Sequence, residues 1–405
     1  MKALLIVTGR GMGGDAVIAL NTAKSLEKIG ISCEFALDFK APGILFEKNN
    51  INWHKIDIPQ SGGHAATKKS MFIGGLKLFK ASFKAVSLIK KIKPDIIVGI
   101  IGGGAVVGSI SAKIARVPSI SIVNTPVDSK ISSKLNSVIA LTESPLYSHK
   151  INSNLVEENS NANNNTNTIN NGNTNINTNA HNKNNNNINE NDNKDNNDKL
   201  NNSKKSNMVF NSFYPLNSKV LLGDKEKALD NLPNRFDKNK KTVLFSSGSS
   251  LFPLMAKGCY EFSKFCKDNS IDLNILVVGY PLEEKYNECL NQENIINLSY
   301  IDWIKDLYDL VDLAILTDDG VMVQEAIACK LPIIALNRVK YGRYHNIEAI
   351  FKGAVVESDF EDLNNIIIKQ LDNLDEMKVN VSKYSKEVLN ASSKIANIIQ
   401  TQIKH

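Results

Sequence analysis

The chain has 405 residues, about two domains' worth, and its 42% apolar residues are enough to build buried cores. A net charge of +6 is too small to indicate a nucleic-acid-binding protein, and the five scattered cysteines match no metal-ligand spacing, so we expect reduced thiols in a cytosolic protein. No apolar run approaches the roughly 18 residues that cross a bilayer, and the start MKALLIV is too short for the core of a signal peptide, so we expect the chain to stay in the cytoplasm.

The N-terminal stretch reads as a strand, a glycine-rich turn, a helix and a second strand. The first strand covers residues 2–7, and the helix covers residues 16–29 and ends at Gly30, the residue type preferred just after a helix C-terminus. The turn at residues 9–15 does not match the dinucleotide-binding fingerprint. Its glycines, which include Gly11, Gly13 and Gly14, indicate a backbone that closely approaches either a ligand or its own helix.

Residues 56–67 form a predicted loop that contains His64. This histidine is either a solvated loop residue or a residue on the acceptor side of a cleft, and the sequence leaves both open. Residues 68–93 contain eight lysines and no acid, in the pattern of a basic amphipathic helix. We favour a membrane or lipid contact for its first part, which includes Phe72 and Lys77. For residues 81–92 we favour a helix packed on the sheet, with its lysines in solvent.

A second unit of strand, glycine turn and helix occupies residues 95–123. The predicted strand at residues 95–101 leads into Gly102, Gly103 and Gly104, then a helix at 106–116 and a strand at 119–123. Asn124 follows at the end of that strand, where ligands collect in open α/β sheets.

Residues 152–207 differ in kind from the rest, because nearly half of them are Asn. Such a segment cannot bury enough apolar area to offset the entropy lost on ordering. We predict a disordered insertion at a domain boundary.

The fold resumes with residues 209–216, the predicted crossing to the second half. A strand at residues 242–245 is followed by a turn rich in hydroxyls and amides, which contains Gly248, Ser249 and Ser250, and by a helix at 253–268. Further strands are predicted at residues 273–278 and 297–301. Helices near residues 360–374 and 382–403 close the chain.

The stretch from Val311 to Asn346 carries the clearest chemistry. A buried strand, a turn with Gly320 and a helix that ends before Pro332 form a site for an anion, because the first helix amides have no partner inside the helix and the dipole is positive there. Glu325, one turn further along, can accept hydrogen bonds from sugar hydroxyls. The pattern suits a nucleotide with its phosphates at the helix start and its ribose at Glu325, although an ordinary strand–helix–strand unit with a surface Glu fits it equally well.

Together these elements predict an α/β fold with two Rossmann-like halves, whose parallel sheets direct small polar turns toward a central cleft. We predict an N-terminal acceptor domain at residues 1–151, the insertion at 152–207, a C-terminal donor domain at 208–380 and a C-terminal helix at 381–405.

Taken in this order, the turns resemble those of the glycosyltransferases of family 28, in particular the members that add N-acetylglucosamine to the lipid-linked peptidoglycan precursor. The likeness spans nearly the whole chain outside the insertion. Residues 9–15 and 93–108 resemble the first and second glycine loops of the family, and residues 246–250 sit where the family has a Gly-Gly-Ser-Gln-Gly loop.

The resemblance implies roles for single residues. Glu325 is similar to the ribose-binding Glu of the family, Ile301 lies where the main chain reads uracil, and Arg343 and His345 fall where an Arg-Gln-Gln run lies beside the donor sugar. The acceptor and lipid side would include Gly11, Gly13, Gly14, Gly103, Gly104, Asn124, Phe72 and Lys77.

Three departures from the family pattern bear on the chemistry. The first loop ends in Asp15 where the family has His, and residues 211–214 lack the family's Arg. The family's Arg-x-Gly before the donor helix is replaced by Thr317, Asp318 and Asp319, and two acids beside a diphosphate are unfavourable unless a cation intervenes or they point away.

The resemblance implies a GT-B fold and an inverting transferase that moves an N-acetylhexosamine from a UDP-GlcNAc-like donor to a polyprenyl-linked acceptor on the inner face of the membrane, where the protein would be peripheral. The same chemistry would suit wall-precursor assembly in archaea with pseudomurein walls. Inversion needs a base, and the candidates are Asp15 and His64. We expect the helix dipole to lower the pKa of Asp15 and keep it ionised. No cofactor or metal is assigned, since the UDP-sugar is a substrate, and a role for a divalent cation stays open.

Two alternatives share this two-domain shape. One is a non-hydrolysing UDP-sugar 2-epimerase, which would need further acids and a histidine around the sugar. The other is a non-catalytic partner subunit that docks a second transferase at the membrane, an option kept open by the missing His and Arg.

Overall fold

The computed structural model describes residues 1–9, 14–59, 68–141, 207–318, 320–340 and 346–403, with backbone alone for residues 68–76, 126 and 127. The Asn-rich stretch before Asn207 lies outside these ranges. Within them the chain forms two parallel sheets that belong to one compact unit. This confirms the predicted α/β class with two sheet-based halves.

The N-terminal half is built on a seven-stranded sheet with helices packed on it. Its strands are β1 (Lys2–Val7), β2 (Ser32–Asp38), β3 (His54–Ile56), β4 (Ile96–Ile100), β5 (Ser119–Val123), β6 (Ser137–Leu141) and β7 (Val209–Ser212), and its helices are α1 (Gly14–Lys28), α2 (Ile44–Lys48), α3 (Lys68–Ile92), α4 (Ile101–Ala115) and α5 (Pro126–Ser132). The strand order is β3-β2-β1-β4-β5-β6-β7, so the direction of winding reverses between β1 and β4.

The C-terminal half is built on a six-stranded sheet. Its strands are β8 (Thr242–Leu251), β9 (Asn274–Pro281), β10 (Ile295–Asn297), β11 (Leu313–Thr317), β12 (Ile333–Leu336) and β13 (Val355–Ser358). Its helices are α6 (Lys225–Asn231), α7 (Pro253–Asp268), α8 (Lys285–Cys289), α9 (Ile304–Leu307), α10 (Val321–Ala328), α11 (Ile347–Ile350), α12 (Leu363–Leu371) and α13 (Leu374–Ile403), with short 3-10 helices at Ser218–Leu221 and Tyr308–Leu310. The strand order is β10-β9-β8-β11-β12-β13, so the direction of winding reverses between β8 and β11.

The central strands are apolar along their whole length because helices cover both faces of each sheet. In β1 every residue after Lys2 is buried, and all residues of β4 and β11 are buried. These strands follow the continuous apolar runs in the sequence, and their prediction is confirmed.

Several element boundaries differ from prediction. Strand β8 runs on to Leu251 through the predicted turn, and β10 ends at Asn297 because Ser299 takes a left-handed φ of 52° that interrupts the extended chain. Strands β3 and β6 were not predicted, and α13 begins at Leu374, before the predicted start of the final helix. Strand β7 pairs with β6, so the first sheet extends past the predicted domain boundary at residue 208.

The crossing segment, residues 213–216, is held by helices from both halves. The Tyr214 N–H donates to Gln324 Oε1 of α10 at 2.7 Å. Asn21 Nδ2 of α1 donates to the carbonyl of residue 215 at 2.9 Å, and Ser392 Oγ of α13 donates to the carbonyl of residue 216 at 2.7 Å. All three bonds are buried, so the crossing is a fixed part of the core.

Candidate functional site

Four glycines mark the carboxyl ends of the strands at the two points where strand order reverses. Gly9 follows β1, Gly102 follows β4, Gly248 lies within the last part of β8, and Gly320 follows β11. All four have positive φ, at 64°, 54°, 97° and 134°. Ligands of open α/β sheets bind at such reversals. In both halves the backbone therefore allows a ligand to approach closely at the carboxyl ends of the strands.

The last part of β8 is a bulged strand that its own serines hold in place. The pairing of β8 with β9 is irregular between Ser246 and Ser250. Ser247 Oγ donates to the carbonyl of Ser250 at 2.8 Å and accepts the N–H of Phe252 at 2.9 Å. Gly248, Ser249 and Ser250, the predicted donor-binding residues here, are left half-buried at the start of α7.

Neighbouring strand ends support this bulge and lead to the predicted uracil position. A Cβ placed on Gly279, at the end of β9, would lie 2.7 Å from the Gly248 carbonyl oxygen, so this approach needs glycine. The next residue, Tyr280, is 52% exposed, and its ring stacks on that of Tyr300 with centroids 5.8 Å apart. Ile301 follows directly and is half-buried.

Two helix starts and one lysine converge beside the bulge. The residues before α7 and α10 are Phe252 and Gly320, and neither caps the first amides with a side chain. Lys340 Nζ lies 6.0 Å from the centre of the Phe252 ring, and a Cβ placed on Gly320 would lie 3.8 Å from it. An ammonium and two positive helix ends in one place suit an anion with more than one negative charge.

Glu325 lies in the second turn of α10 and is half-buried. The hydroxyl of Tyr308 donates to Glu325 Oε2 at 3.3 Å. Burial raises the pKa of Glu325 to about 7, against the opposite effect of the Tyr308 hydrogen bond. The carboxyl therefore changes charge near neutral pH.

Asp15 lies in the first turn of α1, on the opposite side of the gap between the halves. Its Oδ2 accepts the Gly9 N–H at 2.7 Å and its Oδ1 accepts the Ala16 N–H at 2.8 Å. Burial raises the pKa of Asp15 above its usual value, more than these two bonds lower it. The predicted lowering of the Asp15 pKa by the helix dipole was therefore wrong, because desolvation dominates.

The starts of α1 and α10 face each other at contact distance, since a Cβ placed on Gly14 would lie 3.8 Å from Val321 Cγ2.

The structure describes one of the two acids before α10. Asp318 is 1% exposed, which removes its side chain from the surface of the gap. Asp319 lies outside the described residues. One of the two acids that depart from the family pattern is thus turned into the protein.

Packing accounts for two glycines of the second loop. A Cβ on Gly104 would lie 2.6 Å from the backbone of Ile6, and one on Gly103 would lie 2.9 Å from the Ile58 side chain. Gly102 has nothing within 4 Å of such a Cβ, so it is the open residue of this loop. The predicted Asn124 is half-buried, with Nδ2 3.5 Å from the Tyr214 hydroxyl.

Sequence reasoning placed residues 124–128 at the end of β5 where ligands collect, but it missed that Asp128 holds the second loop in place. This carboxylate is buried and accepts the Gly102 N–H at 2.8 Å. It also forms a capping box with Thr125 at the start of α5. Thr-Pro-Val-Asp is a recognisable capping signal, so the helix start could have been found from sequence. The hydrogen bond between Asp128 and Gly102 could not have been found from sequence.

The remaining predicted site residues include several that the structure does not describe. Gly11, Gly13, His64, Arg343 and His345 lie outside the described residues, as does the Phe72 side chain. Lys77 is exposed on α3. Further along α3, Phe79 and Phe83 are 54% and 52% exposed, and their rings touch edge to face at 5.0 Å between centroids.

Two cavities lie away from the facing helix starts. One, of about 620 Å³, opens between edge strand β3 and α3 beside Phe39, Lys55 and Lys84. The other, of about 300 Å³, lies at the amino edge of the second sheet. We define the candidate site by its converging helix starts. In the described ranges, no cluster of three His, Cys, Asp or Glu side chains is arranged to hold a metal ion, and no helix has the length and apolarity to cross a membrane.

Comparison with known proteins finds a matching domain for each half. Residues 5–121 match the glycosyltransferase family 28 N-terminal domain, and residues 233–388 match the glycosyl transferases group 1 domain. The crystal structure of Acinetobacter baumannii MurG has a TM-score of 0.59 and 16% identity to this chain, with 99% of each chain covered. The chain therefore pairs two regions that each match a glycosyltransferase domain. Its two parallel sheets form the GT-B fold.

A curated relative is similar to part of the chain. The UDP-N-acetylglucosamine--N-acetylmuramyl-(pentapeptide) pyrophosphoryl-undecaprenol N-acetylglucosamine transferase of Wigglesworthia glossinidia brevipalpis is 33% identical over 125 residues, which are 29% of this chain and 33% of the relative. The match thus spans about a third of that curated relative.

Two further structures share the fold. Anabaena Alr3699/HepE in complex with UDP has a TM-score of 0.63 and 14% identity, with 100% of each chain covered. The UDP-GlcNAc 2-epimerase of Methanocaldococcus jannaschii has a TM-score of 0.57 and 13% identity, with 99% of this chain and 100% of that chain covered. Since MurG and an epimerase share this fold, the fold alone does not select the reaction.

Proposed function

We propose that the protein is an inverting glycosyltransferase that moves an N-acetylhexosamine from a UDP-sugar such as UDP-GlcNAc to a polyprenyl-linked acceptor at the inner face of the cell membrane. The observation that carries this proposal is the convergence of the α7 start, the α10 start and Lys340 opposite the start of α1. The matched curated relatives are transferases of this chemistry, and their names favour transfer over epimerisation.

On the donor side, the diphosphate would lie at the two helix starts beside Lys340. Positive helix ends and an ammonium stabilise the charge that collects on UDP as it leaves, in the manner of other preorganised anion sites. Glu325 would accept hydrogen bonds from the ribose hydroxyls, and the main chain near Ile301 would read the uracil. This arrangement uses groups from β8, α7, α10 and the loop after β12.

On the acceptor side, Asp15 is the first candidate for the base. The acceptor hydroxyl oxygen forms a bond to the anomeric carbon while the bond from that carbon to the UDP oxygen breaks. The hydroxyl proton passes to the Asp15 carboxylate, and the electron pair of the broken bond leaves with UDP. A raised pKa makes Asp15 a stronger base than an ordinary aspartate, closer to the match that general base catalysis requires. His64 stays the rival candidate.

Helix α3 supports a lipid-linked acceptor. Phe79 and Phe83 are exposed together, and Lys77, Lys80 and Lys84 are exposed or half-exposed around them. Exposed aromatics ringed by lysines favour the surface of an anionic membrane. The described residues 81–92 also pack on the sheet through Ala81, Ala85 and Ile89, as the packed-helix interpretation expects.

One assay tests this proposal against its alternatives. The full chain is incubated with UDP-GlcNAc or UDP-GalNAc, with and without a membrane lipid extract, and both UDP release and donor identity are followed. A transferase releases UDP when the lipid extract is present. Conversion of the donor sugar without acceptor would identify an epimerase. If neither reaction occurred, the non-catalytic docking subunit would be the remaining alternative.

A further inference from the structure

Tyr308 reaches the candidate nucleotide site from inside the C-terminal core. It lies in the 3-10 helix Tyr308–Leu310, is 3% exposed, and belongs to the same core cluster as Leu307 and Ala328. A buried tyrosine normally directs its hydroxyl to a hydrogen-bond partner. Here that partner is Glu325 Oε2, 3.3 Å away. A buried core residue therefore ends in a hydrogen bond to the proposed ribose-binding carboxylate.

The position of Glu325 on α10 shows why this contact matters. Val321 precedes Glu325 by four residues and so lies on the same face of the helix. Val321 is also the residue that meets the start of α1 near Gly14. Glu325 is thus one turn behind the contact between the halves, and a glutamate side chain has several rotatable bonds with which to turn away. Tyr308 restricts that freedom by holding one of the two carboxylate oxygens.

We propose that Tyr308 is a positioning residue for the nucleotide site: its hydroxyl holds Glu325 Oε2 so that the other carboxylate oxygen is presented to the pentose hydroxyls of the UDP-sugar. The proposal rests on the proposed function, and it adds a residue that never touches the ligand. Fixing a carboxylate in advance reduces the ordering cost of binding, which is the general gain from preorganisation.

The groups around Glu325 give this role a second consequence. Tyr308 is neutral, since burial raises its pKa well above the usual range. The thiol of Cys329, the residue directly after α10, is also neutral, with a pKa raised to about 12. Asp309 lies close enough to Cys329 for its charge to raise the pKa of that thiol. Asp15 lies at the start of α1, which faces the start of α10. None of these groups is a cation, and among the described residues the Tyr308 hydroxyl is the contact that favours the ionised form of Glu325, against a desolvation that raises its pKa to about 7.

The test measures binding of UDP-GlcNAc to the full chain by isothermal titration calorimetry between about pH 5.5 and 8.5. Each phosphate of this ligand has one ester bond and one anhydride bond, so neither has a second proton to lose and neither titrates near neutral pH. We expect wild-type affinity to rise with pH as Glu325 ionises. Tyr308→Phe should weaken binding at pH 7 by roughly five- to tenfold and move the midpoint of the profile to higher pH. The 2′-deoxyuridine analogue of the ligand should lose less affinity on the same substitution.

A matched control is Tyr384→Phe, which removes a tyrosine hydroxyl that contacts only the Lys352 carbonyl among described residues. It should leave both affinity and pH midpoint unchanged. If Tyr308→Phe weakens both ligands equally without moving the midpoint, or changes nothing, Tyr308 is structural and the inference is overturned while the proposed function stands. If the wild-type chain binds no UDP-GlcNAc at any pH, the proposed function fails first and the inference fails with it.

Discussion

Asp15 combines a structural role with a proposed chemical one. Its two carboxylate oxygens accept the N–H groups of Gly9 and Ala16, so it ties the first glycine loop to α1. Its pKa is nonetheless raised, because burial outweighs both bonds. The sequence identified this residue as the one that stands where the family has His. It could not give the direction of the pKa shift, which depends on how much protein surrounds the side chain.

If Asp15 is the base, Asp15→Asn should lower kcat by roughly a hundred- to ten-thousandfold while UDP-sugar binding survives, because an amide cannot take the acceptor proton. In the wild type, kcat/KM should rise with pH through an apparent pKa above the usual aspartate value of about 4, since only the ionised form accepts a proton. Steady-state kinetics over pH and calorimetry with UDP check the two parts. Full activity in Asp15→Asn would transfer the role to His64.

Lys340 should act on the phosphates alone. Lys340→Ala should weaken UDP binding by roughly tenfold, with a smaller salt dependence, because one charge-assisted contact is lost. Binding of uridine, which has no phosphate, should be unaffected. The control is Lys257→Ala, since Lys257 also lies over a phenylalanine ring, with its Nζ 4.6 Å from the centroid of Phe360. Equal losses for UDP and uridine in Lys340→Ala would contradict a phosphate contact.

At the scale of elements, the bulge of β8 shows where sequence patterns stop being informative. Ser-Ser-Gly-Ser-Ser reads as a turn because serine and glycine disfavour regular strands. The structure keeps a strand there, since the Ser246 and Ser247 hydroxyls bond to the backbone that the irregular pairing leaves open. By contrast, the apolar runs of β1, β4 and β11 could be assigned directly, because strands covered on both faces are apolar throughout.

The bulge depends on the close approach of Gly279 to Gly248. Gly279→Ala adds a Cβ that would lie 2.7 Å from the Gly248 carbonyl oxygen, at a φ of 123°. We expect a loss of stability of roughly 2 kcal/mol or more, together with weaker UDP binding, because the bulge must move. Urea unfolding and calorimetry measure both quantities.

Gly30→Ala is the matched control for that substitution. Gly30 also has a positive φ, of 79°, but a Cβ there has no atom within 4 Å. This variant should cost about 1 kcal/mol from backbone strain alone and leave UDP affinity unchanged. A Gly279→Ala protein that is no less stable than Gly30→Ala would show that the contact with Gly248 is not needed.

At the scale of the whole molecule, the contacts that join the halves were beyond sequence reasoning. Asn21 bonds to the carbonyl of a residue 194 positions away, and Ser392 to one 176 positions away. Neither residue belongs to a motif, and polar residues of this kind are common in helices. The order of the glycine turns, by comparison, was enough to indicate two similar halves around a gap. Sequence therefore indicated which ends of the strands form the site, and long-range packing determined how closely they approach.

The surface of α3 also concerns the whole molecule, because it exposes Phe79 and Phe83 among lysines. Full burial of one such ring contributes about 1.5–3 kcal/mol. Even partial insertion of the pair therefore predicts that the double variant Phe79→Ser/Phe83→Ser loses roughly tenfold in affinity for vesicles containing phosphatidylglycerol. Raising the salt concentration should weaken the wild type as well, because lysines near an anionic surface contribute electrostatically. Co-sedimentation with vesicles of defined composition measures both effects.

The control for this patch is another exposed apolar pair, Leu221 and Leu222 in the C-terminal half, at 49% and 67% exposure. If hydrophobicity in general drove adsorption, Leu221→Ser/Leu222→Ser would reduce vesicle binding as much as the change in α3. We expect it to have no effect, and we expect the α3 variant to retain UDP binding while it loses turnover on acceptor presented in vesicles. Unchanged vesicle binding of the α3 variant would mean that the aromatic pair does not contact lipid, and that the lipid-linked acceptor must reach the start of α1 by another surface.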